Sequence, residues 1–399
     1  MTQPAESMQG QAGQTPRNGV GAGAGVYPSN ETGPGKNHPA NAVTAAYTEP
    51  LIGKGADAYI RNVRTKVELV RAGEQLLPVT VNETEYDNSY VCSPYSTYVS
   101  YALEELVLFK SELLKGALRG VIGILSPLLK IARINRNVHV NNWLLSTNLY
   151  EELPKEDTRA LTAGLLERFP SHAVIFRSLN EVTNPQLMKD LTGLGWILVP
   201  SRQVYFFEGR EPDYLHKPNN VWDRKLLRRS PLRLVEHEEI EPSDYPRIVE
   251  LYEDLYIRKY SRLNPRFTEA YIANCHLHGL LRIRGLRDSS GVLQGVIGCF
   301  DKAGVITAPL VGYNTALPQK EGLYRMLMSL VLTRAAEEGK LLHLSSGAAH
   351  FKRIRGGRPA IEYSAVYIRH LPLRRRAVWL GLSHLLNGVG VPVMRKYRL

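Results

Sequence analysis

The stretch from Val305 to Tyr367 changes its hydrophobic period repeatedly, and few folds accommodate that sequence of changes. Val305 to Asn314 is apolar and partly β-branched and closes on a Gly-Tyr-Asn turn, which predicts a buried strand; Pro309 inside it requires a bulge or an edge position. The period then switches. Leu323, Met326, Leu327, Leu330 and Val331 fall at i, i+3, i+4, i+7 and i+8, the stripe of a helix lying on a sheet, with Pro318 to start it and Gly339 to stop it. Leu341 to Leu344 returns to strand character and Ser345 to Ala349 is a small-residue loop. His350 to Arg358 is a basic loop, and Ile361 to Tyr367 is a further strand.

A strand that turns directly into a helix leaves the first helical N–H groups pointing outward at the positive end of the helix dipole, which suits an anion. Here the turn is Gln319 to Tyr324, where Lys320 adds charge and Gly322 lets a phosphate approach the backbone. An ordinary helix start with a solvated Lys320–Glu321 pair fits the same six residues.

Upstream, Arg233 to Glu236 predicts a short strand, and Tyr245 to Tyr260 and Pro265 to Leu277 predict two helices. Leu280 to Arg284 and Val292 to Phe300 form a hairpin. The resulting order, β-α-α-β-β-β-α-β-α-β, resembles the GNAT acyltransferase superfamily. That family's pyrophosphate turn reads Gln/Arg-x-x-Gly-x-Gly/Ala; Gln319 and Gly322 match it, and Tyr324 places a bulky residue where the family keeps a small one. The resemblance implies an α/β (α+β) fold with mixed sheets flanked by helices. It also implies an acyl-CoA bound at Asn314, Gln319, Lys320, Gly322, Leu323 and Tyr324.

Phe351 to Gly357 looks like the Phe-Lys segment followed by glycine of the Fem-type aminoacyltransferases, which carry two GNAT-like halves on one chain. By that resemblance Lys352 faces the reacting carbonyl and stabilises its developing negative charge. Tyr313 and Asn314 sit at the strand end toward the acyl carbonyl. His350 is either the base or a hydrogen-bonded loop histidine, and Glu321 either a base or a helix cap. The alternative, which the residues favour less, is a solvated basic loop that binds an acidic partner. The activity implied is transfer of an acyl group from a thioester, acyl-CoA or an acyl carrier protein, to an amine. An aminoacyl-tRNA is the alternative donor of the Fem type, and a non-catalytic GNAT-like scaffold is a third reading. No permanently bound cofactor and no metal are expected.

The first part of the chain supports two halves. Strands are predicted at Lys66 to Val70, Gln75 to Val81, Val138 to Ser146 and His172 to Arg177, with a closing pair at Trp196 to Val199 and Gln203 to Phe207. Helices are predicted at Lys155 to Phe169 and Pro185 to Thr192. The boundaries that follow are a disordered tail over 1–55, an N-terminal half over 56–210 with a basic helical insert at 96–136, a linker over 211–230, a C-terminal half over 231–370, and a basic amphipathic segment over 371–399. The tail has neither the basic start nor the apolar core of a secretion signal.

Fifty Lys and Arg against 38 Asp and Glu give a net charge of +12, concentrated in two places. Residues 371–399 hold six Lys or Arg and no acid. Residues 110–136 hold Lys110, Lys115, Arg119, Lys130, Arg133 and Arg136 against Glu112 alone, around the apolar run Gly120 to Leu129. That run is shorter than the about 20 residues that cross a bilayer. Both segments suit helices on an anionic membrane surface, or ordinary domain helices with solvated cations. Three widely spaced cysteines, Cys92, Cys275 and Cys299, suggest neither a disulfide framework nor a zinc site, which fits a reducing cytoplasm; the expected location is cytoplasmic, at the inner face of the membrane if it binds there.

Overall fold

Short β-branched runs separated by amphipathic helices bury both faces of a sheet, and the computed structural model, which describes residues 39–397, is built in that way. The strands are β1 (Lys66–Ala72), β2 (Gln75–Asn82), β3 (Asn137–Val140), β4 (Ala173–Asn180), β5 (Ile197–Phe207), β6 (Arg233–Val235), β7 (Arg282–Arg287), β8 (Leu293–Lys302), β9 (Val305–Tyr313), β10 (Leu341–His343) and β11 (Arg358–Tyr367). The second half follows the expected order element by element, from β6 through two helical segments to β7, β8 and β9, then helix Leu323–Glu337, β10, helix Ala349–Arg353 and β11.

The two sheets expected from the sequence are joined into one, ordered β1-β2-β3-β4-β11-β5-β10-β9-β8-β7-β6. Each half gives its closing strand to the other: β11 lies between β4 and β5, and β5 between β11 and β10. The exchange leaves neither half with an open edge at the centre of the molecule. Two strand pairs are parallel, β3 with β4 and β9 with β10, and they occupy equivalent places on either side of the junction.

Several local expectations change. The expected closing pair around Val199 and Gln203 is the single long strand β5, whose partner β11 shifts register between Glu362 and Tyr363 to accommodate it. Pro309 lies inside the sheet rather than at its edge, opposite a register shift between Gly298 and Phe300, so a bulge absorbs its missing donor. Residues 1–38 of the expected tail lie outside the described residues. Pro39–Lys54, read as tail, is a helix; Tyr47 and Leu51 are buried, and Tyr47 Oη donates to the Trp143 carbonyl at 2.6 Å. The Gly, Pro and Asn composition of the first fifty residues masked these two anchors.

The 211–230 stretch, read as a linker, contains helix Pro218–Arg229, packed on the second half. Part of the expected basic loop is helix Ala349–Arg353. The basic segments are also helical. Glu112–Ile131 is one helix with Pro127 inside it, and residues 373–397 form a continuous helical rod whose last described residue precedes Arg398 and Leu399.

Candidate active site

β10 pairs with β9 only from Leu341–His343 against Val305–Thr307. Beyond that point β9 runs on to Tyr313 while the chain leaves β10 through Ser345 (φ 54°) and Ala348 (φ 47°), so the parallel strands part. The gap is a cavity of about 120 Å³, lined by Ala308 and Val311 on one side, Leu344 to Ala348 on the other, and Arg202 and Lys352 at its base. Lys352 is buried, and its ammonium donates to the carbonyls of Leu344 (2.6 Å), Ser345 (3.2 Å) and Ser346 (2.8 Å). Those three acceptors take up the donors of the ammonium and hold the strand end open. Burial, and then the charge of Arg202, push its pKa down to about 7.

Arg202 projects from β5 opposite Glu362 of β11. Its Nε lies 2.8 Å from Glu362 Oε1 and its Nη2 3.2 Å from Oε2, a bidentate pair, while Nη2 also reaches the Ser146 carbonyl. Nη1 lies 3.5 Å from Ser346 Oγ, and the guanidinium also hydrogen-bonds to the Tyr90 side chain, on the side that faces the cavity. His343 stands beside the pair, its Nε2 3.8 Å from Glu362 Oε2; burial pushes its pKa down to about 4 and keeps it neutral. Its Nδ1 accepts the Ser345 N–H at 3.0 Å.

Tyr90, Tyr101, Arg202 and Ser346 also line a second cavity of about 120 Å³ on the first half's side, closed by His139, Arg177, Glu105 and Trp379. Burial pushes the Glu105 carboxyl up to about 7, with Arg202 working against the shift and Glu104 adding to it. Burial likewise pushes the Tyr98 hydroxyl up to about 12 and raises those of Tyr90 and Tyr101, so these phenols stay neutral beside the charged Arg177, Arg202 and Glu362.

On the opposite side, Tyr260 and Tyr324 are shared with a larger cleft of about 500 Å³. Tyr313, Asn314, Gln319, Gly322, Leu323 and Tyr324, all expected site residues, line it. Gly322 takes φ 68°, which strains any residue with a Cβ, and a Cβ there would stand 2.5 Å from Leu226 Cδ2, so that side chain would have to shift. The first intrahelical bond runs from Met326 N to the Gly322 carbonyl (3.0 Å), which leaves the preceding N–H groups at the helix start facing the cleft region. Asp223, from the helix that precedes β6, is buried and bridges Arg325 Nε (2.6 Å) and Arg355 Nε (2.7 Å) at the cleft wall.

The expected residues therefore separate. Six line the large cleft, and Lys352 lines the central cavity. His350, Lys320 and Glu321 are exposed and are not among the residues lining these three spaces. Arg202, Glu362, Glu105 and Arg177 were missed. Two signals pointed to them: a carboxylate inside the apolar run Ile361 to Tyr367, and the run of tyrosines from Tyr86 to Tyr101. The Cys275-His-Leu-His278 cluster is tied into the protein: Cys275 is buried, and His276 contacts Tyr245 Oη and the His237 carbonyl, each at 2.9 Å.

No protein-family model matches the chain, and no curated protein matches it. Solved structures similar to it include L-PGS from Bacillus licheniformis, 14% identical over 56% of this chain and 76% of that one, with a TM-score of 0.42. FemX is 10% identical over 56% of this chain and 79% of that one, with a TM-score of 0.45. A tandem GNAT protein from the clavulanic acid biosynthesis pathway is 11% identical over 76% of this chain and 83% of that one, with a TM-score of 0.36.

Proposed function

We propose that this protein is an N-acyltransferase that moves an acyl group from a thioester, on coenzyme A or a carrier protein, to an amine. The observation that carries the reading is the adjacency of the three spaces. The large cleft and the central cavity share Tyr260 and Tyr324 in their walls, and the central and inner cavities share Tyr90, Tyr101, Arg202 and Ser346. A donor whose phosphates lie at the Gly322 turn extends its acyl end past Tyr324 into the gap between β9 and β10, and the amine enters from the inner cavity.

In this scheme Glu105 takes the proton that the amine loses, the nitrogen forms the new C–N bond, the C–S bond breaks, and that same proton passes from Glu105 to the departing thiolate, which leaves as a thiol. Arg202 Nη1 donates to the carbonyl oxygen as it gains negative charge. Lys352 fixes the Leu344–Ser346 loop that forms one wall. The three buried free cysteines suit a reducing, cytoplasmic setting.

Titration calorimetry with acetyl-CoA and a long-chain acyl-CoA, followed by assay of thiol release with a panel of amines, tests the reading. Binding that weakens on Gly322→Ala is expected. Failure of every thioester to bind, together with binding of an aminoacyl-tRNA, would replace the donor; binding of neither would leave a scaffold.

A further inference from the structure

Helix Glu112–Ile131 carries two apolar stripes, and the protein covers only one. Ile122 and Leu129 are buried, in a cluster with Trp379 and Leu382 of the C-terminal helix and with Leu114, Leu118 and Leu125 packed against it. The other stripe, Leu113, Val121, Ile124, Leu128 and Ile131, repeats at helical spacing and faces outward; Leu113 is 87% exposed and Ile124 and Ile131 69% each. Val107 and Leu108 just before it and Leu373 on the C-terminal helix extend the exposed apolar surface. A large unpartnered apolar surface on a folded protein marks an interaction site.

The C-terminal helix belongs to the same surface. Arg375, the inward-facing member of its arginine triplet, donates to the carbonyls of Ala132 and Arg133 beyond the C-terminus of the first helix. At the other end Phe109 meets Tyr397, ring centroids 5.0 Å apart. The two helices thus run antiparallel and are tied at both ends, forming one platform. Lys110, Arg119, Lys130, Arg374, Arg395 and Lys396 are exposed on it, and the one acid within the two helices, Glu112, is paired with Lys115 at 2.6 Å.

We infer that this two-helix platform seats the protein on an anionic lipid bilayer. Charge chooses the occupant: a second copy docked through the same surface would set these cations against their own counterparts, whereas an anionic headgroup layer neutralises them while accepting the apolar stripe. The rod over residues 373–397 is long enough to cross a bilayer. Its buried Trp379 and Leu382 and the Arg375 anchors keep it lying along the protein instead. The platform also adjoins the inner cavity, since Tyr98, Tyr101 and Glu105 lead into the first helix and Trp379 and Leu386 belong to the second. A bound bilayer therefore lies beside that cavity whether or not the acyl-transfer reading holds.

Flotation of the full chain with phosphatidylcholine vesicles containing about one-third phosphatidylglycerol tests this, against vesicles of phosphatidylcholine alone. Binding to the anionic vesicles only is expected, with the bound-to-free ratio reduced by about tenfold or more in Ile124→Asp/Ile131→Asp. Both positions are exposed, so circular dichroism and melting should match the parent. The exposed Leu277→Asp, on helix Glu269–Leu277, serves as the control and should float normally. Absence of binding, equal binding by the double variant, or a stable dimer that the double variant dissolves would overturn the inference.

Discussion

Arg202 and Glu362 meet across the strands that the two halves exchange, Nε to Oε1 at 2.8 Å, in register on β5 and β11. The pair joins the halves electrostatically at the point where the sheet joins them by backbone bonds. Replacing Glu362 with Ala leaves a largely buried guanidinium without its carboxylate, and equilibrium denaturation should record a loss of about 3–5 kcal/mol. A loss under about 1 kcal/mol would mean that Ser146, Thr147 and solvent suffice to hold Arg202.

Glu105→Gln should leave the melting temperature close to that of the parent and lower thiol release by about a hundredfold, the range for loss of a general base. A base works when ionised, so with its pKa pushed up to about 7 the parent's kcat/KM should rise as pH passes through about 7 and then level. Arg202, Glu104 and Tyr101 face this carboxyl. An inflection that survives in Glu105→Gln would assign it to Lys352, whose pKa lies in the same place.

Lys352→Met removes three charge-assisted bonds and leaves the carbonyls of Leu344, Ser345 and Ser346 without that donor. Stability should fall by about 3 kcal/mol and turnover with it. Loss of turnover with stability unchanged would point to direct contact with the acyl carbonyl, as the sequence resemblance implied, and away from a wall-fixing role.

Gly322→Ala forces a left-handed residue with a Cβ 2.5 Å from Leu226 Cδ2. The backbone term alone is about 1–2 kcal/mol. Adding Leu226→Ala should recover the steric part and leave the backbone part, a double-mutant cycle readable by thermal melts.

Asp223→Ala should loosen Arg325 and Arg355 together, lowering stability by about 3 kcal/mol and raising the donor's KM more than it lowers kcat. The opposite split would move Asp223's influence from the large cleft to the reacting centre.

Much of the second half was legible because each of its elements has its own period. The stripe Leu323 to Val331 and the turn at Gly322 depend on neighbours in sequence, and both appear where they were expected. The Arg202–Glu362 pair was not legible, because it depends on two strands about 160 residues apart becoming neighbours through exchange, and strand order in space leaves no local pattern. Helix Pro218–Arg229 was hidden for a related reason. Its Pro, Asn and Arg content reads as linker, and its anchors, Asp223 and Leu226, gain meaning only beside Arg325, Arg355 and Gly322.

The exchanged strands also set an order in time. During synthesis β4 and β5 are complete long before β11 emerges, roughly 150 residues or about 8–30 s later at ordinary elongation rates. Until then the slot between them has no occupant, and the first half waits on the last of the described strands to be made. A ribosome that stops short of Arg358 leaves β5 already paired with β10, but the facing edges of β4 and β5 stay open, both missing the one strand that the end of the message encodes.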